Sequence, residues 1–130
     1  MTTRKILVVD DDSTSRRLMS HILNREGYDV ATASDGVEAL ELMADDPAEI
    51  VITDRMMPNM DGVELLKAVR QSPMYGHIPV IIVTANSDAR DQPEAEAAGA
   101  TAFLTKPVGS TELLATVQRA LLLGRVKKSA

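Results

Sequence analysis

The chain contains no cysteine, which excludes disulfide staples and thiolate metal sites and suits a cytoplasmic setting. It has no surplus of positive charge. The formal net charge is −5, so it offers nucleic acid no general electrostatic attraction, and no direct nucleic-acid binding is expected. No apolar run approaches the ~20 residues that a membrane-spanning helix needs. The opening Met1-Thr2-Thr3-Arg4-Lys5 leads into a short apolar run without a small-residue cleavage site, so no signal peptide is expected. Linkers, repeats and low-complexity stretches are also missing, and no second domain is expected.

What is present is ordinary in amount and informative in arrangement. With 130 residues, 45% hydrophobic and 25% charged, the chain can bury one sizeable core. Ile6-Leu7-Val8-Val9, Ile50-Val51-Ile52-Thr53 and Val80-Ile81-Ile82-Val83 are continuous β-branched runs, as in strands covered on both faces. Tyr28 to Ala33 predicts a shorter, more polar strand, and Ala102-Phe103-Leu104 a last one. Between the strands lie helical patterns. Leu18, Met19, Ile22 and Leu23 share one face, then Val37, Leu40 and Met43, then Val63, Leu66 and Val69, and finally Leu113, Leu114, Val117 and Leu121. Asp12-Ser13-Thr14 supplies cap chemistry, Gly27 a stop, and Asp61-Gly62 a helix opening.

Five strands alternating with helices predict an α/β fold, a doubly wound (βα)5 unit with helices on both faces of a parallel sheet. The polar second strand suits an edge. This favours the flavodoxin-like order 2-1-3-4-5, whose ligands sit at the carboxyl ends of the strands.

The polar residues that matter stand at those ends. Asp10 and Asp11 follow the first strand, Asp54 the third, Thr84 ends the fourth, and Lys106 follows the fifth. Carboxylates that converge repel one another, and leaving them ionised needs a cation. With no cysteine, and with His21 and His77 elsewhere, an all-oxygen site for a hard cation such as Mg²⁺ is the natural solution. Lys106 and Thr84 would add an ammonium and a hydroxyl. Such a surround suits phosphoryl transfer to an aspartate, which needs positioning and charge neutralisation more than covalent help. Taken singly these residues have plainer readings: a helix cap for the paired Asp, a strand former for Thr84, a solvated side chain for Lys106.

Together, Ile6-Leu7-Val8-Val9-Asp10-Asp11, Ile52-Thr53-Asp54-Arg55-Met56-Met57-Pro58-Asn59-Met60-Asp61-Gly62, Val83-Thr84-Ala85 and Thr105-Lys106-Pro107 resemble the response-regulator receiver family, especially its single-domain chemotaxis-type members. The resemblance covers about Lys5 to Leu123 and implies a receiver unit at 1–123 with a short basic tail at 124–130. Arg125, Lys127 and Lys128 in that tail are read as solvated. It implies that Asp54 accepts a phosphoryl group from a histidine kinase or histidine phosphotransfer protein. Mg²⁺ would bind Asp11 and Asp54 directly, Asp10 through water, and the backbone carbonyl of Met56. Thr84 and Lys106 would hold the phosphoryl oxygens, and Phe103 would be the switch aromatic, against a plainer role as a core residue. The surface built by the fourth helix, fifth strand and fifth helix would then bind a downstream target. The implied protein is a cytoplasmic switch rather than an enzyme, monomeric or weakly dimeric on phosphorylation.

One stretch departs from the family. Asn86 to Ala98 offers mainly Ala and polar groups, and Pro93 falls where a helix interior should be. Proline is costly in a helix interior but welcome at the first helical position. A short helix from near Pro93 is therefore expected, with Glu94 and Glu96 at its positive end, Gly99 as its stop and a long loop over Asn86 to Gln92.

Two other readings compete. Asp10, Asp12 and Thr14 imitate the D-x-D-x-T pattern of haloacid-dehalogenase phosphatases, with Thr84 and Lys106 as later motifs. Only Glu112 follows the lysine where that class has an acidic pair, and Asp54 is left without a task. A phosphorylation-independent binding platform is the other, although such receivers usually lose a site residue and none is lost here.

Overall fold

The protein, in a computed structural model, is described over residues 4–85 and 91–129, with side chains up to residue 122. Its elements alternate without exception: β1 Lys5–Val9, α1 Ser13–Arg25, β2 Asp29–Ala33, α2 Gly36–Asp45, β3 Ile50–Asp54, α3 Gly62–Arg70, β4 Val80–Thr84, α4 Asp91–Ala97, β5 Ala102–Thr105 and α5 Ser110–Ser129. All strand pairings are parallel and the order is β2-β1-β3-β4-β5, as the hydrophobic patterning predicts. The three apolar runs are the three central strands, and the polar β2 is an edge.

Strand alternation divides the core in two. Ile6, Val8, Ile50, Ile52, Ile81, Val83 and Leu104 face α1 and α5, meeting Met19, Leu23, Leu113 and Val117. Leu7, Val9, Val51, Val80 and Ile82 face α2, α3 and α4, meeting Met43, Leu66, Val69 and Ala95. The register that aligns these faces also aligns the strand ends. Val9 lies opposite Thr53, Asp54 opposite Val83, and Thr84 opposite Thr105.

Three local expectations need correction. Leu18 is 56% and Val37 48% exposed. In α1 the inward line is Met19 and Leu23, and Leu18 sits one residue, about 100°, off it. In α2 that line is Ala39 and Met43, and Val37 lies two positions before it. The fourth helix already includes Asp91 and Gln92, so Pro93 is its third residue, still in the first turn where an N–H has no intrahelical acceptor. The remainder of the loop expected there, 86–90, lies outside the described residues. Gly99 closes α4 at φ +104°, its amide donating to Glu96 and that of Ala100 to Ala95, a Schellman ending. The α5 backbone runs helical to Ser129.

Candidate functional site at the carboxyl rim of the sheet

Each rim residue is placed by the element it ends. Asp10 follows β1 and is fully buried, its backbone amide donating to Ala33 at 3.1 Å. The turn into α1 is built around it. The Asp12 amide donates to Asp10 Oδ1 at 2.9 Å, and Arg16 Nη1 to the Asp10 carbonyl at 2.7 Å. Asp12 caps α1 by accepting from the Thr14 amide at 3.2 Å. The two residues of the D-x-D-x-T imitation beyond Asp10 are thus engaged in helix capping.

Asp54 ends β3 and is 7% exposed. Beyond it the chain turns sharply into α3. The Gly62 amide donates to the Arg55 carbonyl at 2.9 Å, and a Cβ at Gly62 would collide with the Asp54 carbonyl oxygen. The turn closes on a capping box between Asp61 and Glu64. Asn59 takes φ +70°, and Met60 packs against Gly36 at the start of α2. Met56 projects its side chain outward, 64% exposed, while its amide donates to the Asp54 carboxylate.

Lys106 joins the two buried carboxylates. Its Nζ lies 2.9 Å from Asp10 Oδ2 and 3.4 Å from Asp54 Oδ2, and its amide donates to the Thr84 carbonyl at 2.7 Å. The Lys106–Pro107 peptide is cis. Thr84 is fully buried. By alternation it shares the α4-bearing face with Ile82, and Phe103, opposite Ile82, lies half-buried against that same cluster.

The charges divide the labour between the carboxylates. Burial raises the Asp10 carboxyl, but the Asp12 amide, the Lys106 ammonium and the Ser15 hydroxyl outweigh it, holding the group below its ordinary value. Burial also raises Asp54, and the negative charge of Asp10 adds to it. Lys106 and the Met56 amide offset this only in part, so Asp54 stands above its ordinary value. Burial works against the Lys106 ammonium, yet Asp10 and Asp54 overcome it and raise its pKa. Asp10 and Lys106 are therefore firmly charged, and Asp54 is the group whose negative charge is least well compensated.

Asp10, Asp11 and Asp54 each offer a carboxylate oxygen within 4.8 Å of the others, two from buried residues and one from exposed Asp11. An all-oxygen, partly open set of this kind fits a hard cation, and a cation there would relieve the repulsion that raises Asp54. Sequence reasoning brought these residues together but missed three supports: Ser15, Arg16 and the close approach at Gly62. The Asp61-Gly62 pair carried the signal for the last, as a turn where the backbone passes too near for a side chain. Nothing in the sequence marks Arg16 as a ligand of a carbonyl.

Comparison with known proteins bears on this arrangement. The family model for the response regulator receiver domain matches residues 6–118. Response regulator PleD of Caulobacter vibrioides is 40% identical over 114 residues, 88% of this chain and 25% of that protein. The PhoP transcriptional regulatory protein for alkaline phosphatase synthesis in Bacillus subtilis is 37% identical, over 91% of this chain and 48% of its own length. The chain thus spans between a quarter and half of these curated relatives. Among solved structures, chemotaxis protein CheY4 of Vibrio cholerae superposes with a TM-score of 0.87 at 39% identity, covering 92% of this chain and 99% of that one.

Proposed function

Because this chain belongs to the response-regulator receiver family of two-component signalling, we propose that Asp54 is its phosphoryl acceptor, and that phosphorylation switches the surface formed by α4, β5 and α5. The observation that carries this reading is the Lys106 ammonium held between the buried carboxylates of Asp10 and Asp54, beside an oxygen cluster fit for a cation.

In the transfer, an Asp54 carboxylate oxygen forms the new P–O bond as the P–N bond of a partner's phosphohistidine breaks. The electron pair of that bond stays on the imidazole. Asp54 suits the attack because its charge is poorly compensated by the protein and so remains available. Asp10, Asp11, Asp54 and the Met56 carbonyl would hold Mg²⁺, which supplies charge neutralisation at the phosphoryl oxygens when bound. Lys106 then shifts part of its attraction from the carboxylates to a phosphoryl oxygen, and Thr84 donates its hydroxyl to another. Movement of Thr84 on the α4-bearing face opens or fills space beside Phe103, which would carry the change to the surface.

On this reading the chain is a switch rather than an enzyme acting on a separate substrate. Its partners are a histidine kinase or phosphotransfer protein and a downstream target protein. It works in the cytoplasm, with the receiver unit at 1–123 and no direct contact with nucleic acid or membrane. Among the described residues, no helix is long and apolar enough to cross a membrane.

Intact-mass measurement after incubation with acetyl phosphate tests the proposal. The expected result is a Mg²⁺-dependent gain of one phosphoryl group, absent in Asp54→Asn. If acetyl phosphate fails, a phosphohistidine donor replaces it. No gain from either donor would sink the acceptor reading in favour of a phosphorylation-independent binding platform.

A further inference from the structure

Arg55 directly follows Asp54, and strand alternation turns it to the opposite face, the one that α4 covers. Its Nη2 lies 2.9 Å from Glu94 Oε1 and 3.6 Å from Asp91 Oδ1, both in the first turn of α4. The Arg55 side chain is 15% exposed and that of Asp91 16%, whereas that of Glu94 is 55% exposed, so the longer contact to Asp91 is the shielded one and the shorter contact to Glu94 is open to water. The apolar attachment of α4 is thin, since Ala95 is its one buried residue among those described. At the other end of the helix, Arg70 donates from Nε and Nη2 to the Gly99 carbonyl at 3.1 and 2.8 Å. A short helix is thus held at each end by a guanidinium more than by its own hydrophobic face.

The two ends are not equivalent. Arg70 makes four hydrogen bonds to carbonyls of Gly76, Ile78 and Gly99, contacts indifferent to charge at the rim. Arg55 instead holds carboxylates, contacts that answer to charge, and among the described residues its Nε is buried without a hydrogen-bond partner.

We propose that Arg55 is a positioning residue that fixes the first turn of α4 through Asp91 and Glu94, and that negative charge added at Asp54 weakens this hold. The second half rests on the acceptor reading above. A phosphoryl group adds about one negative charge to a residue adjacent to Arg55. The guanidinium then answers to a second anionic neighbour, while the carboxylates of Asp91 and Glu94 are pushed from the rim. The population of an attached α4 falls accordingly.

The test is hydrogen exchange on the full chain, read at the amides of Ala95, Glu96 and Ala97, whose intrahelical acceptors lie in the first turn of α4. Wild type, Arg55→Gln and Arg55→Lys are compared with and without phosphorylation, intact mass being recorded for every sample. Arg55→Gln should exchange about three- to tenfold faster than wild type, at unchanged exchange in β1 and β3. Arg55→Lys should recover part of the protection, since a point charge still reaches the carboxylates. Phosphorylated wild type should speed up toward the Arg55→Gln rate, and Arg55→Gln should gain little more. Equal α4 exchange in wild type and Arg55→Gln would overturn the clamp. Phosphorylation that leaves wild-type α4 unchanged or slower, or that speeds Arg55→Gln as much as wild type, would overturn the coupling. Absence of any mass gain would defeat the acceptor reading and the coupling with it, leaving the clamp to stand or fall on the unmodified variants.

Discussion

Lys106→Met removes the ammonium shared by two buried carboxylates, and the size of its effect can be bounded from both sides. At 2.9 and 3.4 Å, and with an effective dielectric of ~20, the two attractions are roughly 6 and 5 kcal/mol. Desolvation of the ammonium and ordering of its side chain offset much of that. Of the two carboxylates left behind, Asp10 keeps the Asp12 amide and the Ser15 hydroxyl, and a ceiling for Asp54 follows because it can take up a proton rather than remain charged and unpaired. Starting from its ordinary value of 3.8, protonation at about pH 7 costs about 4 kcal/mol. The expected loss of unfolding free energy is therefore about 2–4 kcal/mol in the presence of a chelator.

Urea unfolding provides the assay, and the sign of its pH dependence is part of the prediction. In the variant the folded pKa of Asp54 lies still further above its unfolded value. The unfolded chain then binds fewer protons than the folded one, so stability falls as pH rises from about 4 toward the folded pKa. Acidification through that window should shrink the deficit relative to wild type. Millimolar Mg²⁺ should also recover part of it, because a cation among the three carboxylates replaces the missing ammonium. Adding Asp54→Asn to Lys106→Met should restore most of the loss, as the two residues share one network. A deficit under about 0.5 kcal/mol, flat in pH and indifferent to Mg²⁺, would show that Lys106 is solvated in practice and refute the electrostatic account of the rim.

Two further substitutions test how the turn that follows Asp54 is built. Gly62→Ala would drive a methyl group into the Asp54 carbonyl, which only a backbone shift can relieve. It should cost about 1–3 kcal/mol in urea unfolding and slow phosphorylation of Asp54 in the mass assay. Asp61→Ala breaks the capping box that starts α3 and should cost about 1 kcal/mol, with the phosphorylation yield at saturation preserved.

The fold was legible because a parallel sheet covered on both faces writes itself as continuous apolar runs. Ile6 to Val9, Ile50 to Thr53 and Val80 to Val83 needed no other interpretation, and the polarity of β2 supplied the edge. The site was legible for a related reason. Once the strand order is known, Asp10, Asp54, Thr84 and Lys106 must meet, since each terminates or follows a strand of one sheet. Helix faces were harder. A 3.6-residue period spreads apolar residues over a broad arc, so neither Leu18 nor Val37 could be told from its inward neighbours by spacing alone.

What stayed hidden has a common physical form, namely long polar side chains whose partners are distant in sequence and carry no pattern. Arg55 and Glu94 are 39 residues apart, and Arg70 reaches a carbonyl 29 residues away. Backbone carbonyls leave no compositional trace, and a surface-type Arg or Glu reads the same whether it is paired or solvated. The Ala-rich composition of α4 was visible, and it pointed toward a short helix after a long loop. It could not show that the weakness of the apolar face is made up by guanidinium groups at both ends. Charge attachments of this kind respond to other charges, whereas apolar packing does not. A helix so held, beside an aspartate whose charge can change, is suited to report that change in a way that Leu113 or Val117 on the opposite face is not.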